Sequence, residues 1–169
     1  MQRRKGYSAL RRGRYSAPGF VYFLTICVAD RTGALIVPRI GAAIHGEIQR
    51  MADAGVWRVH SATLMPDHLH LLVELASRLS LSQAVARLKA KTRADLESCH
   101  ARWQPSFFDH RLRPGDSLLG VMLYIYLNPY RKHLLPVSAT WPWFVCHADD
   151  WIWFKGHLAD DLPEPEWLR

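Results

Sequence analysis

Apolar and polar positions change their period several times along the chain, and each change marks an element. Residues 20–29, FVYFLTICVA, are β-branched and aromatic with almost no polar break, which predicts a central strand buried on both faces. After a loop at 30–33, Ile40, Ile44, Ile48 and Met51 recur at helical spacing, and Gly55 is placed to end that helix. Residues 56–65 read as a second strand and 67–75 as a third. The Met65-Pro66-Asp67 turn between them predicts a hairpin. Ser80 and Gln83 form a capping-box pair ahead of a helical stripe of Leu81, Val85, Leu88, Thr92 and Leu96. A fourth strand is expected over 103–112. Pro114-Gly115-Asp116 then breaks the chain before a helix from Leu118, apolar nearly all round, which Pro129 should end at or near Asn128. The tryptophan-rich segment 141–154 reads as an irregular cap over the core, and an acidic, proline-containing stretch follows.

The stretch LMPDHLHLLVEL, residues 64–75, carries the candidate chemistry. Alternation along a strand puts His68 and His70 on one face and Leu69, Leu71 and Val73 on the other. Two imidazoles side by side supply part of a coordination sphere, so a divalent cation needs a third ligand from elsewhere. The late helix offers one: Asn128 has an oxygen for the cation, and Tyr124 lies one turn away on the same helical face. This set suits attack on a phosphodiester, with Tyr124 as nucleophile. Tyr126 is the rival tyrosine, pointing roughly the opposite way. Asp67 is either an outer-shell partner or a turn former, Glu74 either tunes the site or faces solvent, and His60 and His110 are more simply bystanders.

Charge points to the partner. The 169 residues carry a net +7, and Arg3, Arg4, Lys5, Arg11, Arg12 and Arg14 crowd the first 14 positions with no acid among them. A basic arm over residues 1–17 could follow a phosphate backbone. Arg87, Lys89, Lys91 and Arg93 surround the second helical stripe, and Arg131 follows the third helix. Phe107 and Phe108 are either core or base-stacking residues. The three cysteines, Cys27, Cys99 and Cys146, have no zinc-ribbon spacing, which fits a reduced intracellular protein. With no apolar run long enough for a span, a soluble cytoplasmic protein is expected.

MPDHLHLLVE (65–74), RLK (87–89), WQPSFFDHRLR (103–113) and YIYLNPYRKHLL (124–135) resemble, in order, the motifs of the REP-associated tyrosine transposases, within the single-tyrosine HUH transposase superfamily. The chain departs from that pattern at Tyr130, at Lys132-His133 and at the Arg113–Asp116 run. The resemblance implies an α+β fold, a ferredoxin-like or RRM-like sandwich whose antiparallel sheet has helices packed on one face. It also implies cleavage and rejoining of single-stranded DNA at hairpin-forming repeats through a 5′-phosphotyrosine. Carried over by position, His68, His70 and Asn128 bind Mg²⁺ or Mn²⁺ and Tyr124 is the nucleophile. Lys89 lies on the helix used near DNA, and the active form is a monomer, with a dimer left open. The expected division is a basic arm (1–17), a catalytic domain (18–145) and a tryptophan-containing acidic tail (146–169). A domesticated relative that binds hairpin DNA or RNA without cutting is the alternative, and a metal-dependent hydrolase of a small phosphorylated substrate is a third reading.

Overall fold

A computed structural model describes residues 16–164 and 166. In chain order the elements are β1 (Val21–Cys27), α1 (Pro38–Asp53), β2 (Trp57–Leu64), β3 (His68–Leu75), α2 (Leu81–Lys91), α3 (Arg93–Glu97), β4 (Phe108–Arg111), α4 (Leu118–Arg131), β5 (Phe144–Cys146) and α5 (Ala148–Phe154). The strands form one antiparallel sheet in the order β4-β1-β3-β2-β5. This is the expected α+β class. The β2–β3 hairpin closes where the Met65 amide donates to the His68 carbonyl at 2.8 Å.

One sheet face follows directly from the apolar pattern. Leu24, Ile26, Leu69, Leu71 and Val73 point to it, and Ile40, Ile44, Ile48 and Met51 of α1 cover them together with Val85 and Leu88 of α2 and Leu96 of α3. The other face was not expected to carry helices, yet α4 crosses β2 and β3 there. Met122, Ile125, Tyr126, Leu127 and Tyr130 of α4 pack with Leu72 and with Phe154 of α5. Helices therefore lie on both faces. Strand β1 accordingly alternates between buried and half-buried positions, where burial on both faces was expected.

Three further expectations are corrected. Helix α4 runs through Pro129 to Arg131. The proline forfeits only its own donor, while the Lys132 amide still reaches the Asn128 carbonyl at 3.1 Å, and burial of Pro129 and Tyr130 holds the last turn. The departure at Tyr130 has a local reason too, since its hydroxyl donates to the Ala139 carbonyl at 2.9 Å. The long helix expected from Ser80 splits at Thr92, whose hydroxyl donates back to the Leu88 carbonyl at 2.8 Å and accepts from the Trp103 indole at 2.9 Å. Strand β4 keeps only four of the ten residues expected, because Pro105 cannot donate to a ladder and the 104–106 carbonyls turn to Lys89 instead.

The tryptophan-rich segment is regular. β5 pairs with β2 up to Cys146, and α5 buries Phe154, so the cover of the sheet continues past residue 146 into what was expected to be a tail. His60 has a structural place here: its ring meets Asp150 of α5 at 2.9 Å, with Arg58 alongside. Among the described residues no helix is long and apolar enough to cross a membrane. The arm, with Arg11, Arg12 and Arg14, lies outside the described residues.

Candidate metal and nucleophile site

Strand alternation turns both histidines of β3 to the α4 face, and the two Nε2 atoms come within 3.1 Å of each other. Each ring is held from behind. The His68 Nδ1 lies 2.6 Å from an Asp67 carboxylate oxygen, and the other Asp67 oxygen accepts from Arg31 at 2.9 Å. The His70 Nδ1 lies 3.0 Å from the Thr25 hydroxyl, its cross-strand neighbour on β1. A carboxylate behind His68 keeps the proton on Nδ1 and leaves Nε2 with its lone pair directed inward. Burial above all, with His68 alongside, pushes the His70 pKa down to about 3 against a smaller opposing pull from Asp67. At neutral pH that ring is a neutral base.

Asn128 completes the triangle. Its carboxamide nitrogen lies 3.2 Å from the His70 Nε2, and the group turned over would present its oxygen at the same point. Cis ligands of an octahedral ion bonded at about 2.1 Å stand about 3 Å apart, the spacing these side chains already have. Two imidazoles and a carboxamide therefore fit a divalent cation. Among the described residues no group of three His, Cys, Asp or Glu side chains is placed to hold one, and Asn128 is the carboxamide that stands beside His70.

Tyr124 stands beside this triangle. Its ring meets His70 with centroids 5.4 Å apart and Phe23 edge-on at 5.7 Å, while the side chain remains 43% exposed. It opens into a hollow of about 270 Å³ that Gly120, Leu123, Leu127 and Arg131 also line. Tyr126, two residues on, points into the α4–α5 core, where its hydroxyl donates to the Asp161 carbonyl at 2.8 Å. Burial, then the neighbouring Tyr130, pushes its pKa well above the ordinary phenol value. Of these two tyrosines, Tyr124 is the one that is both accessible and next to the histidines.

Of the predicted cations, Arg131 joins Tyr124, two turns along one helix face. Arg87, Lys89, Lys91 and Arg93 do not: their helices cover the opposite sheet face. Lys89 donates to the Gln104 and Ser106 carbonyls at 2.7 and 3.0 Å, bracing the loop into β4, and Arg93 pairs with Glu97 at 2.6 Å. Sequence reasoning did not find Thr25 or Arg31. Alternation along β1 puts Thr25 on the histidine face, but its pairing with His70 depends on a register set by the whole sheet. Arg31 reaches Asp67 through a turn in which Asp30 and Arg31 both have positive φ, 63° and 53°. Asp67 does both things considered for it, forming the turn and backing His68. Burial pushes its pKa up, but the bonds to Arg31 and His68 outweigh that and hold the carboxyl below its ordinary value.

The family model described as "Transposase IS200 like" matches residues 18–112. A protein of Haemophilus influenzae that carries the provisional name REP-associated tyrosine transposase is 26% identical over 145 residues, spanning 78% of this chain and 82% of that protein. The REP-associated tyrosine transposase of Escherichia coli K12 is 22% identical over 138 residues, spanning 80% and 82%. A solved REP-associated tyrosine transposase bound to a REP hairpin shares the fold with a TM-score of 0.60 at 22% identity, over 78% of this chain and 79% of that one.

Proposed function

The chain belongs to the IS200-like transposase family, and from that membership and the site's geometry we propose that it cuts and rejoins single-stranded DNA beside hairpin-forming repeats through Tyr124. His68, His70 and Asn128 would hold Mg²⁺ or Mn²⁺. When bound, the cation offsets the charge that builds on the non-bridging oxygens of the reacting phosphate. Asp67 and Thr25 fix the two rings from behind, so that both Nε2 atoms face the phosphate side.

The Tyr124 oxygen forms a bond to phosphorus as the bond to the 3′ oxygen breaks. The phenol proton is lost and a proton is gained by the departing 3′-hydroxyl, which leaves a 5′-phosphotyrosine. Attack by a 3′-hydroxyl on that linkage reverses the sequence and rejoins a strand. Arg131 supplies positive charge beside the tyrosine, and the basic arm of residues 1–17 is assigned to the DNA backbone. The family relatives named for REP elements support a hairpin as substrate. The observation that carries the reading is the accessible Tyr124 ring against His70, 5.4 Å between centroids.

The test is incubation with labelled hairpin DNA bearing single-stranded flanks, with Mn²⁺ or with chelator, followed by a denaturing gel. The wild-type protein shifts covalently with Mn²⁺ only. Tyr124→Phe gives no adduct but retains DNA binding. An adduct that survives Tyr124→Phe, or binding with no adduct under any metal condition, overturns the reading, the second outcome in favour of a non-cleaving hairpin-binding protein.

A further inference from the structure

The helix cover on the sheet face that bears the histidines thins toward β4. α4 crosses β2 and β3 and meets β1 through Val21 and Phe23, while Phe108 on the outer strand β4 stays half exposed. The ladder fixes what lies there. Phe108 pairs with Thr25, Thr25 with His70 and His70 with Thr63, so these four form one cross-strand row on one face. In the adjacent row His110 pairs with Phe23, whose ring already touches Tyr124. Phe108 therefore stands two strands from His70, roughly 10 Å at a strand spacing of about 4.8 Å.

Phe107 and Phe108 divide cleanly. Phe107 is 8% exposed in the core of the opposite face, while Phe108 is 50% exposed. Single exposed apolar rings are common and by themselves mean little. This one continues a row that starts at the site, on the open side of the nucleophile.

We propose that Phe108 is a stacking platform for a base of single-stranded DNA, in a nucleotide flanking the phosphate that Tyr124 attacks. The inference rests on the reading of the site given above and adds a base-binding subsite to it. A net charge of +7 favours a polyanionic strand over a neutral partner. A second copy adding a strand to β4 is disfavoured, because this edge is four residues long and reads Phe-Asp-His-Arg, a short charged edge of the kind that resists pairing. Asp116, the acid that faces His110 on this side, is taken up by the His110 ring at 3.3 Å and by the Arg113 amide at 2.8 Å. An unpaired base has two π-faces and no duplex partner, which makes an exposed ring on a sheet a suitable seat regardless of base identity.

The experiment uses the full chain with Tyr124→Phe, so that binding is read without cleavage. Hairpin oligonucleotides carry 2-aminopurine at successive positions of the single-stranded flank. Stacking on Phe108 quenches the probe at one position near the cleavage point. Phe108→Ala relieves that quenching and weakens binding about 5- to 150-fold, the range expected for losing one stacked base. Phe108→Trp restores both. Phe108→Leu, which keeps apolar bulk without a π-face, behaves as the alanine variant and covers the case in which alanine lowers the melting temperature. Unchanged quenching and affinity in both Phe108→Ala and Phe108→Leu overturn the proposal. So does a shift in sedimentation from dimer to monomer with DNA binding intact, which would make the ring a contact between copies. Adduct formation by the Tyr124 protein is scored separately. Loss of the adduct with Phe108-dependent quenching intact sinks the reaction and not the platform, and the reverse result sinks the platform alone.

Discussion

The two faces of one sheet differ in what their side chains leave unfinished. Toward α1, Leu24, Ile26, Leu69 and Leu71 are fully buried, and no polar atom of theirs needs a partner. Toward α4, the sheet presents Thr25, Thr63, His68 and His70, and the buried hydroxyls of Ser61 and Thr63 have no hydrogen-bond partner among the described residues. Strand β3 serves both faces, so residues one apart in sequence belong to different tasks. The first face accounts for stability, and the second gives up some of it to keep lone pairs pointed at one place.

Exchanging the two kinds of damage breaks this division if it is wrong. Leu71→Ala empties a fully buried site and should cost about 2–5 kcal/mol of unfolding free energy, read by urea titration, while the protein that stays folded still forms the Tyr124 adduct. Tyr124→Phe should leave stability within about 0.5 kcal/mol, because the ring is partly exposed and keeps its contacts, yet it abolishes the adduct. If Tyr124→Phe unfolds the protein, or Leu71→Ala loses the adduct at full stability, the faces are not separate.

How far the sequence reveals this arrangement depends on the range of the interactions involved. The period-two pattern of 68–75 already separates His68 and His70 from the leucines, and the one-turn spacing of Tyr124 and Asn128 already pairs them, since both are local consequences of backbone geometry. The meeting of α4 with β3 is non-local; the histidine pair's need for a third ligand and the family resemblance anticipated it, while no sequence period did. Thr25 was invisible because nothing near it in sequence names its cross-strand partner. β5 and α5 escaped because each is short, three and seven residues: Trp143 and Val145 pack toward the first face and Phe144 and Cys146 toward the second, but an alternation of four apolar residues shows no polar contrast in the sequence. The basic helix shows a related limit, as a run of Lys and Arg gives charge but not which side of the sheet will carry it.

Asp67 sharpens the comparison at the border between turn and site. Its carboxylate lies 2.6 Å from the His68 Nδ1, and it is fastened in turn by Arg31. Removing such a partner behind a metal-ligating histidine typically costs 10- to 100-fold in affinity, about 1.4–2.7 kcal/mol. Asp67→Ala should weaken Mn²⁺ binding by about that factor in calorimetric titration, while Asp67→Asn, which keeps an oxygen for the Nδ1 proton, retains most of it. Equal affinities for wild type and Asp67→Ala would mean that the carboxylate only makes the turn.

The smallest effect distinguishes the faces by acid. His45 of α1 belongs to the first side, its ring 6.0 Å from Trp143 and its Nε2 buried without a partner, and burial lowers its pKa from 6.5 to about 4. Above pH 6.5 the ring is neutral whether the chain is folded or not, and it contributes no pH dependence. As pH falls from 6.5 toward 4 the unfolded chain takes up a proton that the folded one refuses, so stability declines across that window. The full shift corresponds to about 3 kcal/mol, and partial exposure of the side chain reduces this to about 1–2 kcal/mol. His70, lowered to about 3, contributes loss of the same sign from the other face, its window reaching one pH unit lower. His45→Leu should therefore lessen the fall of the denaturation midpoint between pH 6.5 and 4, where His70 declines alongside it, and leave the decline below pH 4 in place. An acid limb unchanged by His45→Leu would assign the whole of the loss to the histidine site, and the first face would then be the inert one.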